Sequence, residues 1–206
     1  MKPTEPLEIE VKYFLEKPEE VRGRIIRMGA HALGRCFETN IRLEDKTHSL
    51  IKKKSLLRLR RDRKTTLTFK SEPTEADHEF KVFKEYEVEV DDFEMMRRLL
   101  ESLGFHKEQV YEKWRETFRI GGSTLSIDEM PFGPFLEIEG NRSDIRKLAT
   151  DLDFSWEKRI LWNYLALFRT LRGQCRLPFM DVTFENFKGI HLDLNPYLHL
   201  FEAGAD

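Results

Sequence analysis

The sequence predicts an α+β fold of about eight antiparallel strands, with helices in two of the connections and after the last strand. Apolar and polar residues alternate with period 2 in segment after segment, the spacing of strands with one apolar face. Two reversals between such segments are short and rich in turn residues, Asp62-Arg63-Lys64 and Gly121-Gly122, as antiparallel hairpins require. The polar positions, moreover, are charged on nearly every strand. With 206 residues, 40% of them hydrophobic and 16 of them Phe, the chain bounds one ordinary domain, or one plus a C-terminal extension, and its bulk is not disordered.

The first strand covers 7–15. Leu7, Ile9, Val11 and Tyr13 share one face, and Glu8, Glu10 and Lys12 share the other. Lys17-Pro18-Glu19-Glu20 starts a helix, with Pro18 near N1 and acids in the first turn. Val21, Ile25 and Met28 recur at helical spacing, and Gly29 stops it. A strand is expected over 35–43 and a loop or short turn over 45–55. Leu57 and Leu59 against Arg58 and Arg60, then Leu67 and Phe69 against Thr66, Thr68 and Lys70, form a hairpin. Residues 71–79 are polar, contain Pro73 and read as a mobile loop.

The strand over 80–90 sets Tyr86, Val88 and Val90 against Glu87 and Glu89. Asp91 or Asp92 caps a helix carrying Phe93, Met96, Leu99, Leu100 and Leu103, which stops at Gly104. Over 110–120, Trp114 and Phe118 share a face with Glu112 and Glu116, while Lys113, Arg115, Thr117 and Arg119 share the other. Leu125 and Ile127 oppose Ser126 and Asp128 on the return strand. After the break at Pro131-Phe132-Gly133-Pro134, Leu136 and Ile138 oppose Glu137 and Glu139. Stretches 143–152 and 157–171 are expected to be helical.

Charged residues make up 35% of the chain against a globular norm of about 25%, yet 35 Lys and Arg against 37 Asp and Glu leave a net charge of only −2. That balance argues against nucleic acid as a partner and against an acidic solvating tail. Cys36 and Cys175 make no disulfide framework and read as small thiols. The start Met-Lys-Pro-Thr-Glu-Pro lacks the apolar stretch of a signal peptide, and no run reaches the ~18 apolar residues of a membrane span. A cytoplasmic protein without a membrane partner is expected. The six His do not cluster at ligand spacing, and Lys52-Lys53-Lys54 reads as a solvated run or a steering patch for a polyanion.

The charged strand face has two readings. An antiparallel sheet with one solvated face is common, although such faces usually mix in Ser, Thr and Asn, and Glu is disfavoured in strands. Alternatively the sheet closes, and the charges line its interior. Burying them is costly unless they pair or meet a compensating ligand. Carboxylates two apart on strands suit hard divalent cations, and Arg and Lys opposite them suit phosphate oxygens. A lumen of both signs therefore suits a polyphosphate carried with Mg²⁺ or Mn²⁺.

Glu8-Ile9-Glu10-Val11-Lys12 resembles the E-x-E-x-K opening strand of the CYTH, or triphosphate tunnel, superfamily. Later pieces follow in family order. Leu57-Arg58-Leu59-Arg60 resembles its L-R-x-R strand, Leu67-Thr68-Phe69-Lys70 its L-T-x-K, Glu87-Val88-Glu89 its second E-x-E, and Lys113-Trp114-Arg115 its K-x-R. The stretch 128–140 resembles the D-E-x-P…G-x-F-x-E-I-E-G close of the domain. The stretch 162–168 resembles the S-Y-x-x-L-L helix, with Asn163 where Ser is common. Ordered motifs across 7–168 decide for the barrel.

The resemblance implies an eight-stranded antiparallel β-barrel with flanking helices, open as a tunnel that binds a triphosphate. It implies Glu8, Glu10, Asp128, Glu137 and Glu139 as ligands of Mg²⁺ or Mn²⁺. It implies Lys12, Arg58, Arg60, Lys70, Lys113 and Arg115 as phosphate-binding residues, with Arg119 on the same face near its strand end. Lys12, Lys113 and Glu87 are the candidate catalytic groups. Glu87 and Glu89 orient the basic groups or serve a second metal, and Lys84 is a weaker candidate for the same support. Residues 1–172 form the tunnel domain, and 173–206 are a tail packing on it, its Phe residues covering a barrel face or, if exposed, a homodimer surface.

Two reactions share such a site: hydrolysis of tripolyphosphate, ATP or thiamine triphosphate, and the class IV adenylate cyclase reaction from ATP to cyclic AMP and pyrophosphate. The stretches 38–45 and 177–184 resemble the bacterial branch that carries the cyclase name, but hydrolysis of inorganic triphosphate is the leading expectation. A non-catalytic polyphosphate or nucleotide sensor is the alternative of another class. The full set of acids argues against it, since binding alone could be managed by basic residues.

Overall fold

The computed structural model describes residues 7–73 and 77–204; residues 1–6 and residues 74–76 of the expected loop lie outside the described residues. Among the described residues, eight strands and five α-helices follow in the order β1 (Leu7–Phe14), α1 (Pro18–Arg27), β2 (His31–Asp45), α2 (Ser49–Lys52), β3 (Ser55–Arg61), β4 (Thr65–Ser71), β5 (Lys81–Val90), α3 (Phe93–Ser102), β6 (Phe105–Ile120), β7 (Ser123–Met130), β8 (Gly133–Glu139), α4 (Arg142–Asp151) and α5 (Tyr164–Cys175). The strands close a barrel in the order β1-β5-β4-β3-β2-β6-β7-β8, with every neighbouring pair antiparallel. Closure removes the exposed sheet edges that would otherwise invite aggregation.

Strand alternation places apolar residues on the outside of this barrel, where helices cover them. Val11, Tyr13, Phe118, Leu125, Leu136 and Ile138 pack with Val21 and Ile25 of α1 and Ile145 and Leu148 of α4. Ile41, Leu43, Leu57 and Leu59 pack with Phe93 and Leu100 of α3. At roughly 25 cal/mol per Å² of apolar area, these two clusters hold the helices against the wall. A third cluster joins Phe132 and Phe135 to Phe168 and Leu171 of α5 and to Leu177, Val182, Phe187, Leu194 and Phe201 of the tail. The tail is also tied by the backbone, with Glu112 N–H donating to the Val182 carbonyl at 2.9 Å and Val182 N–H to that of Val110 at 2.8 Å.

Several elements differ from expectation. β2 and β6 are longer, 15 and 16 residues, because they pair with each other along nearly their whole length. That pairing holds a bulge at Gly34, whose φ of +100° and closeness to the Arg63 guanidinium suit glycine. The expected loop over 45–55 contains the one-turn α2. The fully buried Glu44 carboxylate organises it, accepting from the Leu50 and Ile51 N–H groups at 3.0 and 2.8 Å. The expected helix over 157–171 is broken. Ile160 is drawn into a bridge with Lys12 by two backbone hydrogen bonds of 2.7 and 3.1 Å, so α5 begins only after Asn163. Asn163 caps it, its side chain accepting from Ala166 N–H at 2.8 Å. Asp92 rather than Asp91 caps α3.

Candidate active site

The inward positions of the strands line a cavity of about 730 Å³. β1 supplies Glu8, Glu10 and Lys12; β8 supplies Glu137 and Glu139, with Glu10 opposite Glu139 and Lys12 opposite Glu137. Across the lumen stand Arg58 and Arg60 of β3 and Lys113 and Arg115 of β6, while Lys70 of β4 reaches Glu8 on the near side. An antiparallel barrel whose interior carries acids and bases where an apolar filling would otherwise stand is a charged-tunnel barrel. The chain belongs to the CYTH domain family, whose profile matches residues 6–160.

A Methanocaldococcus jannaschii protein named as a candidate adenylate cyclase is 27% identical over 143 residues, 68% of this chain and 81% of that protein. Among solved structures, a candidate adenylate cyclase of Vibrio parahaemolyticus superposes with a TM-score of 0.69 at 17% identity, over 79% of this chain and 98% of the other. A candidate adenylyl cyclase of Hippeastrum with a dominant triphosphatase activity superposes with a TM-score of 0.59 at 18% identity, over 80% of this chain and 95% of the other. The two superpositions describe a shared fold.

The acids divide into two groups by their surroundings. Glu8, Glu10 and Glu139 share one wall. Burial, together with the Glu8 and Glu10 charges, pushes Glu139 up to about 7, although its side chain opens onto solvent. Burial and the Glu10 charge also raise Glu8, with Lys70 and Lys81 offsetting part of the effect. Burial and Glu137 push Glu10 upward too, but Lys81, Lys12 and Lys70 outweigh them and hold it at about 2. Glu137 stands deeper, bonded to Lys12 at 2.6 Å and to Arg115. Burial opposes its charge, yet Lys12, Arg115 and Lys113 keep it well below the usual carboxylate range. The donors of this wall are all carboxylate oxygens, the set a hard divalent cation takes.

Asp128 stands apart from that wall. It is fully buried, with Lys113 donating to it at 2.9 Å, Arg115 through Nε at 2.6 Å and through its terminal nitrogen at 2.5 Å, and the Tyr164 hydroxyl at 2.8 Å. Its oxygens accept from those donors and thereby hold Lys113 and Arg115 of the basic wall in place. Glu87 lies 3.8 Å from Arg58 and 3.6 Å from Arg60 and accepts from the Thr68 hydroxyl at 3.0 Å.

Three further expected residues are placed outside the cavity lining. Glu89 is exposed and pairs with Lys64 at 2.7 Å beyond the tunnel. Arg119 is exposed near the barrel end, between His31 and Thr124. Lys84 has the opposite parity to Lys81, Phe83, Glu85 and Glu87, which line the lumen.

The structure adds residues that sequence reading missed. Lys81 forms a buried ion pair with Glu10. Glu38, 2% exposed, lies 3.6 Å from Lys113 and 3.8 Å from Arg115. Burial pushes it up, but Lys113, Arg115, Arg60 and Arg58 hold it at about 2. With Cys36 and Asp62 it gathers ligand-type atoms within 4.8 Å, yet the surrounding cations make it a counter-ion. Tyr164, from the first turn of α5, lies under Lys12 and Lys113, whose ammoniums are 4.3 and 5.4 Å from its ring centroid. Burial and the Asp128 charge keep its hydroxyl protonated well above its ordinary range. The alternation of Glu38 with Phe37 and Thr39 was a usable signal; no strand period points to Tyr164.

Proposed function

We propose that the protein is a metal-dependent phosphohydrolase that cleaves inorganic triphosphate, or another triphosphate-containing substrate, inside the barrel. The observation that carries this reading is the division of one lumen into a carboxylate wall and a basic wall, within a cavity large enough for an extended triphosphate. Lys12, Arg58, Arg60, Lys70, Lys113 and Arg115 neutralise phosphate oxygens, the guanidiniums through bidentate contacts. Glu87 orients Arg58 and Arg60, while Asp128 and Tyr164 fix Lys113 and Arg115. Glu8, Glu10, Glu137 and Glu139 hold Mg²⁺ or Mn²⁺, which when bound neutralises phosphate charge and makes water a better nucleophile. Water attacks the terminal phosphorus in line, and the fixed cations, Lys12 and Lys113 foremost, stabilise the charge that develops on the departing bridging oxygen. Residues 1–172 form this catalytic unit and 173–206 support it; the expected location is the cytoplasm, and among the described residues no helix is long and apolar enough to cross a membrane.

Adenylate cyclase is the second reading. It is favoured by the cavity's second lining, where Ile51, Leu56, Asn163, Leu165 and Arg169 offer apolar and hydrogen-bonding surface beside the charges, of the kind a nucleoside uses. The Methanocaldococcus jannaschii relative carries the cyclase name, while the Hippeastrum protein is dominated by triphosphatase activity. The deciding experiment incubates the protein with tripolyphosphate, ATP and thiamine triphosphate plus Mg²⁺ or Mn²⁺ and identifies products. Orthophosphate from tripolyphosphate is the expected result. Cyclic AMP with pyrophosphate would overturn it, and no turnover of any substrate would leave a binding protein.

A further inference from the structure

Lys81 and Lys70 occupy the very oxygens that a divalent cation needs. The Lys70 ammonium is paired with Glu8 and the Lys81 ammonium with Glu10, and each of these four side chains is at most 13% exposed. Lys81 faces Glu10 directly in the β1–β5 register. A cation approaching this wall therefore meets like charge at its ligands, while a triphosphate meets carboxylates beside its own binding groups. Arg115 and Lys113 cannot relieve the conflict, because Asp128 holds them at 2.6 and 2.9 Å. The two lysines can: each is a compact charge on a flexible four-carbon stem.

We propose that Lys81 and Lys70 are exchangeable counter-cations, which hold Glu10 and Glu8 until a triphosphate is present and then turn to phosphate oxygens, handing the carboxylates to a divalent cation. Lys81 is thus a phosphate-binding residue in its own right. Cation and triphosphate bind with mutual dependence, and by linkage each strengthens the other by the same factor. The inference rests on the reading of the lumen as a cation-and-triphosphate site.

The test is calorimetric titration with Mn²⁺ and with the non-hydrolysable imido analogue of tripolyphosphate, each alone and then together, corrected for their association in solution. In the wild-type protein each ligand is expected to tighten the other about tenfold or more, within the usual range of such coupling. Lys81→Met is expected to bind Mn²⁺ alone about tenfold more tightly and the analogue alone about tenfold more weakly, a change of one decade each. Lys81→Arg, which retains the charge, keeps the weak binding of Mn²⁺ alone. Independent binding of the two ligands to the wild-type protein overturns the exchange without recourse to any variant. So does unchanged Mn²⁺ affinity in a folded Lys81→Met protein. A wild-type protein that binds neither probe removes the cation-and-triphosphate reading itself, and the exchange with it.

Discussion

Asp128 and Glu139 both put a carboxylate on the inward face, and their neighbours set them opposite tasks. Asp128 is surrounded by donors, so its charge is what makes Lys113 and Arg115 tolerable inside the barrel. Asp128→Asn removes the nearest counter-charge of those buried cations and leaves them only Glu38 and, for Arg115, Glu137, so it is expected to cost about 3 kcal/mol of stability, the low end for breaking a buried pair on one side. Urea denaturation measures it, and a loss under about 1 kcal/mol would contradict the anchoring role. Glu139 instead is pushed up to about 7 by burial and by the like charges of Glu8 and Glu10. Glu139→Gln removes that repulsion, so the variant is expected to be no less stable at pH 8 and to lose Mn²⁺ affinity about tenfold or more. Glu137→Gln is expected to abolish turnover of tripolyphosphate, and near-wild-type activity in both glutamine variants would remove the proposed cation site.

The strands explain how much of this was legible. Period-2 alternation separates inward from outward residues, and it correctly oriented Glu8, Glu10 and Lys12 of β1, Arg58 and Arg60 of β3, and Glu137 of β8. Parity gives the face of a residue but not its depth, so Glu89 and Arg119 share the right face and still fall outside the tunnel. Lys81 was hidden because its inward neighbour is Phe83, which interrupts the charged pattern of β5. Tyr164 depends on a tertiary event, the pairing of Ile160 with Lys12 that breaks the expected helix and brings the start of α5 beneath the lumen. That start is held by the Asn163 cap. Asn163→Ala is expected to cost about 1 kcal/mol, read as a lowered urea midpoint with unchanged slope. An unchanged midpoint would show that packing of the aromatic cluster alone fixes α5.

Taken over the whole molecule, part of the nearly cancelling charge is stacked as opposed charges inside one barrel, and its stability should therefore depend on pH from both sides. Glu10 and Glu38 are held at about 2 and Glu137 is lowered, so the stability of their pairs is present above the ordinary value of 4.5 and lost as pH falls toward 2. Glu139, raised to about 7, acts in the other direction. The folded barrel binds its proton more tightly than the unfolded chain, so the stability this gives is fully present below 4.5 and lost as pH rises through about 7. Without added metal, stability is expected to be greatest between those limits. A divalent cation needs the ionised form of Glu139 and must expel its proton below pH 7. Mn²⁺ is therefore expected to raise the melting temperature more at pH 8 than at pH 6, and to release protons on binding at pH 6, detected by calorimetry in buffers of different ionisation enthalpy. Equal melting shifts at the two pH values, with no buffer dependence at pH 6, would remove Glu139 from the cation site while leaving the basic wall intact.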